Sequence, residues 1–465
     1  MQTRYTSADQ WAEAKDGVIP APYALEEGEQ IIDQYLEPVI FHNVNGPDIG
    51  VTTCGVIVKD GLYFKDLDNS GELAPYKDWR LSPEQRAEDM VKHLRLDKQA
   101  GLVLNTLFNT PVVPTRAEAT NAEGKLELGK IYKHHNPGEK PMPGPLPGMT
   151  VSIDDSHVLE KHIAAGVYRG DMRCEAGMVA LYHNAGTQML EYEACKGGVA
   201  IPYSLHTNPI NIGYPDSLGI GAAVIGDGNT DMVYEMAQTD RKMMKAEGLN
   251  IMYGPQVDVT SDPRWPRTSG TYGERPDVTS DIAEALVKGY QDGDNGLNEG
   301  SVVLTIKHFP GDAPSENGFE PHVPIGQWRI YRTPGSMEKY HLPPFQRAFD
   351  HKVSSIMPDY SRIATDGRAV PQTYRGEITS TEEVPSAYSK ELITDLARNK
   401  MGFDGYVNSD SGITTVQIYG VENLTEPERY AKAISAGTDV IGGNTDPENI
   451  VKAVEDGLLP KADLD

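Results

Sequence analysis

Polar and ionisable side chains stand at the ends of short apolar segments that predict β-strands. They are His206, Asn208, Asp258, Lys307, His308, Asp359, Tyr360, Asp410 and Asn444. Carboxylates can act as nucleophiles or bases, imidazoles can transfer protons, and ammonium groups can donate hydrogen bonds to a ligand. Any one of these residues could be a solvated loop residue, but so many at equivalent positions indicate a common pocket. We therefore expect the strands to bring these side chains to one rim.

The segments that carry these residues alternate with helical stretches. The predicted strands are 101–106, 179–182, 199–205, 250–253, 301–306, 353–357, 405–408 and 438–441, and the predicted helices are 232–247, 281–293, 389–400, 426–436 and 447–456. Strands that alternate with helices pair in parallel through right-handed crossovers, and about eight such units close a barrel. The sequence predicts fold class α/β, a (β/α)8 barrel of the TIM type, with an open doubly wound sheet as the alternative.

The first eighty residues differ in style from the rest of the chain. The apolar runs 39–42 and 54–58 flank the turn signal Gly46-Pro47-Asp48, which predicts hairpins packed on the barrel. We therefore assign residues 1–80 to an N-terminal extension.

Residues 81–465 are assigned to the barrel. Their first helix is predicted to begin with Ser82 as its N-cap and Pro83 at its first helical position. Residues 110–150 are rich in proline and glycine, and we interpret them as a long loop after the first strand, on the face where barrels place active sites.

Composition argues against several kinds of partner. The formal net charge is −26 and the isoelectric point is near 4.8, so nucleic acid and anionic membrane surfaces would repel the chain, whereas neutral sugars would not. Cys54, Cys174 and Cys195 are far apart and predict buried thiols rather than a disulfide framework or a zinc site. The first twenty residues contain no apolar run, so we expect an intracellular protein or one whose leader has been removed.

Five segments resemble glycoside hydrolase family 3 in order and spacing. They are 255–267 with 271–274, 307–311, 356–360, 402–410 and 436–439. The resemblance runs from about residue 81 to the end and implies a retaining exo-β-glycosidase that works by double displacement through a glycosyl-enzyme. A β-glucosidase is the leading activity and a β-xylosidase the next. We expect a small carbohydrate substrate, no cofactor and no metal, and a homo-oligomer remains open.

The resemblance also implies roles for individual residues. Asp410 matches the nucleophile, with a structural aspartate that caps the next helix as the alternative. Lys307, His308 and Arg267 match residues that donate hydrogen bonds to the bound sugar. Tyr360 matches a tyrosine beside the nucleophile, with a plain core aromatic as the alternative.

Two positions depart from the family pattern. Asn208 stands where the family carries an aspartate that grips the outer hydroxyls of the terminal sugar, and an amide can hydrogen-bond there without a charge. Ser411 stands where the family usually has a tryptophan beside the nucleophile. These departures favour an alternative function, a sugar-binding or catalytically impaired family member.

The second catalytic group is the remaining question. Two-domain members of the family take their acid/base glutamate from a sandwich domain that follows the barrel, and this chain ends at Asp465, where that domain would begin. Single-domain members place an Asp-Ser-His on the loop after Lys-His-Phe-Pro-Gly, where this chain has Glu320-Pro321-His322. His322 is therefore the internal candidate for the acid/base, because a histidine held by a carboxylate could protonate a leaving group near neutral pH. A buried structural histidine is the alternative.

One motif lies outside the barrel. Asp66, Asp68, Ser70 and Gly71 have the spacing with which a calcium-binding loop begins. The twelfth position should provide a glutamate and is Lys77, so we predict a turn that no longer binds calcium.

Overall fold

The computed structural model describes most of the chain. The described ranges are 17–24, 34–108, 114–133, 155–168, 176–195, 199 and 214–465, together with the strand segments 2–3, 142–143, 150–151 and 204–207. Among these residues, no helix combines the length and the apolar character that a membrane span requires.

Eight parallel strands close into a barrel in the order in which they occur along the chain. They are β1 (Leu104–Phe108), β2 (Ala165–Tyr168), β3 (Ser204–Thr207), β4 (Ile251–Met252), β5 (Val303–Phe309), β6 (Ser355–Pro358), β7 (Tyr406–Ser411) and β8 (Val440–Gly442). The closing pair is β8 with β1, where Ile441 lies opposite Leu104. An α/β barrel architecture is therefore confirmed.

Helices lie between consecutive barrel strands and after the last one. The longer ones are Ala176–Cys195, Ser217–Asp227, Asp231–Glu247, Pro276–Tyr290, Pro343–Asp350, Glu426–Ser435 and Pro447–Glu455, with π-helices at Met337–His341 and Glu391–Lys400. Shorter helices are Pro83–Val91, Leu96–Leu102, Arg116–Ala119, Leu128–Ile131, Ser156–Leu159 and Lys461–Leu464. Helices occur at all five predicted positions.

The predicted strand at 179–182 is wrong. This run lies inside the helix Ala176–Cys195, whose buried positions Val179, Tyr182, Ala185 and Met189 recur every three or four residues. The second barrel strand is instead β2, a short segment that sequence reasoning missed. The first barrel strand begins at Leu104 rather than at the predicted residue 101, because residues 101–102 form the end of the helix Leu96–Leu102.

A hairpin forms across the predicted turn, but the predicted pairing of 39–42 with 54–58 is wrong. Val39–Phe41 pairs with Ile49–Val51 across the predicted turn, whereas Gly55–Lys59 belongs to another sheet, between Gly17–Ile19 and Leu62–Asp66. The turn connects the two nearest extended segments and so leaves the run at 54–58 free to pair elsewhere.

The helix Ala176–Cys195 holds the N-terminal sheets against the barrel. The buried Glu191 carboxylate accepts hydrogen bonds from the backbone N–H groups of Thr52 and Thr53 at 2.8 and 3.1 Å and also pairs with Lys65. Apolar residues from both parts of the chain form one continuous hydrophobic cluster. The N-terminal strands therefore share their core with the barrel.

The start of the helix Pro83–Val91 follows the prediction. The Ser82 hydroxyl accepts from the Gln85 N–H at 3.3 Å, and the Gln85 side chain accepts from the Ser82 N–H at 3.1 Å. Within 110–150, the described residues include two short helices and the strand pair 142–143 with 150–151. Residues 110–113, 134–141 and 144–149 of that predicted loop lie outside the described residues.

Candidate active site

The carboxyl ends of four consecutive barrel strands supply the candidate site. Asp258 follows β4, Lys307 and His308 lie near the end of β5, Tyr360 follows β6 and Asp410 lies in β7. The carboxyl ends of parallel strands lie on the same side of a barrel, so these side chains come together there. The convergence predicted from the sequence is present for these residues.

Asp410 is a buried carboxylate with positive neighbours. It is 9% exposed, its Oδ2 lies 3.7 Å from His308 Nε2, and its Oδ1 accepts a hydrogen bond from the Ser411 N–H at 2.7 Å. Burial opposes ionisation, but His308, His322 and Lys307, with a hydrogen bond from Tyr360, outweigh it and lower the pKa of Asp410. Asp410 is thus held as an anion despite its burial.

Asp258 orients His308. Its Oδ2 accepts from His308 Nδ1 at 2.9 Å, and its Oδ1 accepts from the backbone N–H groups of His308 and Asp312 at 3.1 and 2.7 Å. Burial opposes the charge of Asp258, but His308 and these hydrogen bonds lower its pKa below the ordinary value. An ionised carboxylate only accepts, so Nδ1 carries a proton and Nε2 faces Asp410.

Arg267 lies at the rim, beside the carboxylates of Asp312 and Glu320. Its Nη1 is 3.6 Å from both Asp312 Oδ2 and Glu320 Oε1, and within the described part of the chain Nη1 makes no hydrogen bond. The side chain is 23% exposed. Nη1 itself is buried, between the carboxylates of Asp312 and Glu320.

Lys307 points inward at its present position. Its ammonium donates to the Tyr253 carbonyl at 2.7 Å and lies over the Tyr253 ring. The residue is buried, and its charge contributes to the lowered pKa of Asp410.

A tight loop carries the Glu320–His322 pair. Both Glu320 carboxylate oxygens lie 2.6 Å from His322 Nδ1, and Glu320 Oε2 also accepts from the His322 backbone N–H at 2.8 Å. The Tyr419 hydroxyl donates to the Pro321 carbonyl at 3.0 Å and so ties the loop to the segment after β7. The His322 side chain is 34% exposed and is therefore only partly buried.

Tyr360 connects this loop to the strand of Asp410. Its ring meets the His322 ring edge-on at 4.9 Å, and its hydroxyl donates to the Ser411 carbonyl at 2.8 Å. Burial lowers the pKa of His322, but Glu320 and the charge of Asp410 outweigh it, so the pKa is raised. Burial raises the pKa of Glu320, but His322 outweighs it, so this pKa is lowered. The pair therefore has the charge state of an imidazolium beside a carboxylate.

Behind the site lies a buried ion network in which sequence reasoning named Asp359 but missed Asp312 and Arg329. Arg329 is fully buried; its Nη2 donates to Asp312 Oδ1 at 2.6 Å and its Nη1 pairs with Asp359. Asp312 directly follows the Lys307–Gly311 motif, which is the only sequence signal that pointed to it. The ion pair with Arg329 holds the Asp312 carboxylate, which also faces Arg267.

Three other predicted rim positions are not part of this group. Asn444 is buried and hydrogen-bonds with the hydroxyls of Tyr430 and Thr414, which is a structural contact. His206 lies on β3, and Asn208 lies outside the described residues. The described part of the chain contains no cluster of three or more histidine, cysteine or acidic residues that could hold a metal ion.

A parallel α/β barrel that gathers a buried carboxylate, imidazoles and guanidinium and ammonium groups at its strand ends has the layout of a barrel enzyme. The chain belongs to glycosyl hydrolase family 3, because the model of that family's N-terminal domain matches residues 195–465. The family predicted from the motifs is therefore confirmed.

Curated relatives are longer than this chain. A periplasmic beta-glucosidase/beta-xylosidase of Dickeya chrysanthemi is 30% identical over 88% of this chain and 61% of its own length. Beta-glucosidase C of Emericella nidulans is 33% identical over 60% of this chain and 46% of its own length. The chain therefore spans about half to three fifths of these relatives.

Solved structures share the fold. An exo-1,3/1,4-beta-glucanase from a Pseudoalteromonas species aligns with a TM-score of 0.59 at 19% identity, over 84% of this chain and 42% of that one. A beta-N-acetylhexosaminidase from Beutenbergia cavernae aligns with a TM-score of 0.52 at 18% identity, over 78% of this chain and 91% of that one.

Proposed function

We propose that this chain is the (β/α)8 catalytic barrel of a retaining exo-β-glycosidase, with β-glucosidase as the leading activity and β-xylosidase the next. The observation that carries the proposal is the buried carboxylate of Asp410 near the end of β7, whose pKa is lowered by His308, His322 and Lys307. The names of the curated relatives support the choice of substrates.

In the proposed first step, Asp410 attacks the anomeric carbon and the glycosidic oxygen leaves. Retaining glycosidases pair such a nucleophile with a second group that protonates the leaving oxygen and later deprotonates water. We assign this second role to His322. Glu320 accepts the Nδ1 proton of His322 and leaves Nε2 as the ring atom that exchanges a proton with the substrate or with water.

The remaining residues hold the sugar. Arg267 Nη1 is buried without a hydrogen bond within the described residues, and His308 is oriented by Asp258 with Nε2 directed toward Asp410. We assign both, with Lys307 and Asn208, to the hydroxyl groups of the terminal sugar. Tyr360 is assigned to the edge of the same subsite, where it keeps His322 and Asp410 in register.

Turnover of a panel of nitrophenyl glycosides tests this proposal. Asp410→Asn removes the attacking carboxylate and should reduce β-glucoside hydrolysis by at least about 10⁴-fold, since the covalent step is lost. Asp404→Asn is the matched control. Asp404 is an exposed aspartate just before the same strand, and its carboxylate pairs with Lys352. No β-glycoside turnover by the wild type, or full activity of Asp410→Asn, would overturn the proposal.

A sugar-binding member without turnover is the second candidate, and Asn208 and Ser411 are the features that favour it. Calorimetry with glucose and gluconolactone separates the two functions. A catalyst should bind the flattened lactone much more tightly than glucose, whereas a binding protein should not. The charge states of Asp410 and His322 support catalysis.

A further inference from the structure

The loop after the strand Leu62–Asp66 encloses the ammonium group of Lys77. Its Nζ donates to Asp66 Oδ1 at 2.7 Å, to Ser70 Oγ at 2.8 Å and to the Glu72 carbonyl at 2.8 Å, and it also contacts the Asp68 carboxylate. The Lys77 side chain is completely buried. A single charged group therefore lies at the centre of four oxygen atoms.

These oxygens occupy particular positions of a twelve-residue loop. In a calcium-binding loop, side chains at positions 1, 3 and 5 and the backbone carbonyl at position 7 surround the ion, with glycine at position 6. Counting from Asp66 gives Asp68, Ser70 and the Glu72 carbonyl at those positions. Gly71 is at position 6, with a φ of +76° and an N–H that donates to Asp66 Oδ2 at 2.8 Å. The backbone thus has the form of a cation loop.

Lys77 is at position 12, where such a loop provides the final carboxylate. An ammonium group has three protons, yet four oxygens surround this one. An ordinary ion pair needs one carboxylate, whereas two carboxylates, a hydroxyl and a carbonyl together are the ligand set of a hard cation. We propose that the ammonium of Lys77 permanently takes the place of a divalent cation in this loop, and that the loop becomes a calcium site when the lysine is replaced.

Tyr76, the neighbour of Lys77, connects this loop to the helix that follows it. Tyr76 donates its hydroxyl to Asp68 and its backbone N–H to Asp89 Oδ2 at 3.2 Å, and its ring lies 5.0 Å from that of His93. Asp89 belongs to the helix Pro83–Val91. Loss of the central charge should therefore loosen the contact between the loop and this helix.

The test uses Lys77→Glu in the full chain, because this change removes the ammonium and adds the carboxylate that position 12 lacks. In EDTA its melting temperature should fall by about 5 °C or more, since buried carboxylates lose their counter-charge. Millimolar CaCl2 should recover most of that loss, with calorimetric calcium binding at a Kd of about 10⁻³ M or tighter. The wild type should respond to neither CaCl2 nor EDTA.

Lys77→Gln and Lys352→Glu complete the experiment. The glutamine variant removes the charge without adding a carboxylate and should show a smaller calcium response, which also keeps the test informative if Lys77→Glu does not fold. Lys352→Glu changes an exposed ion pair and should show no calcium response. Lys77 variants as stable as the wild type in EDTA, or destabilised variants that calcium neither binds nor stabilises, would overturn the proposal.

Discussion

His322 is subject to opposing influences at the scale of a single residue. Burial disfavours its charged form, whereas the Glu320 carboxylate, 2.6 Å from Nδ1, and the charge of Asp410 favour it. The net effect is a raised pKa, so the imidazole carries a proton above the pH of about 6.5 at which histidine ordinarily titrates. A general acid in that state is suited to neutral pH.

His322→Ala should separate substrates by their leaving groups. General acid–base help is worth roughly 10²–10⁴-fold, and a disaccharide needs a proton on its leaving oxygen whereas an activated aryl glycoside needs little. We expect the rate of cellobiose cleavage to decrease by a factor within that range. The rate of the glycosylation step with dinitrophenyl β-glucoside should be largely preserved. Equal and small effects on both substrates would exclude His322 from the role.

Glu320→Gln should move the alkaline limb of the pH profile. Removing the carboxylate lowers the pKa of His322, so the acid form is lost at a lower pH and kcat/KM should begin to fall earlier as pH rises. The acid limb, set by the lowered pKa of Asp410, should stay below about pH 4. Glu316→Gln is the matched control, because Glu316 pairs with Arg368. An unmoved alkaline limb in Glu320→Gln would contradict the assignment.

At the scale of elements, Arg329 joins the loop after β5 to the end of β6. It is fully buried and pairs with Asp312 and Asp359. Arg329→Met leaves two buried carboxylates without a counter-charge, which should lower the free energy of unfolding by about 3–5 kcal/mol.

Denaturant titration measures this loss. Arg347→Met is the control, because Arg347 is 40% exposed and its ion pairs with Asp281 and Glu284 should contribute about 0–1 kcal/mol. A loss in Arg329→Met no larger than in the control would show that the buried network does not support the strand ends.

Elements that combine a strong local signal with a distinct period were predictable. The capping box predicted the start of the helix Pro83–Val91. The sequence motifs at 307–311 and 402–410 predicted the strand ends that carry Lys307, His308 and Asp410. The run at 179–182 was misassigned, because four apolar residues fit either a strand or a buried helix until the longer spacing is considered. Asp312 and Arg329 escaped prediction because their pairing depends on tertiary contacts between loops.

At the scale of the whole molecule, an acidic protein collects basic side chains around one carboxylate. The chain carries a net charge of −26, yet Arg267, Lys307, His308 and His322 surround Asp410. This concentration of positive groups keeps the nucleophile ionised in a buried position. The net negative charge of the chain does not repel a neutral substrate such as a glycoside.

Covalent trapping tests the central claim most directly. A 2-deoxy-2-fluoro-β-glucoside with a dinitrophenyl leaving group should glycosylate the nucleophile and release the sugar slowly, because the fluorine destabilises the oxocarbenium-like transition state of both steps. Peptide mass spectrometry of the trapped enzyme should find one fluoroglucosyl group on Asp410, and Asp410→Asn should remain unlabelled. A label on another residue, or steady turnover of aryl β-glucosides with no trapped intermediate, would contradict the account.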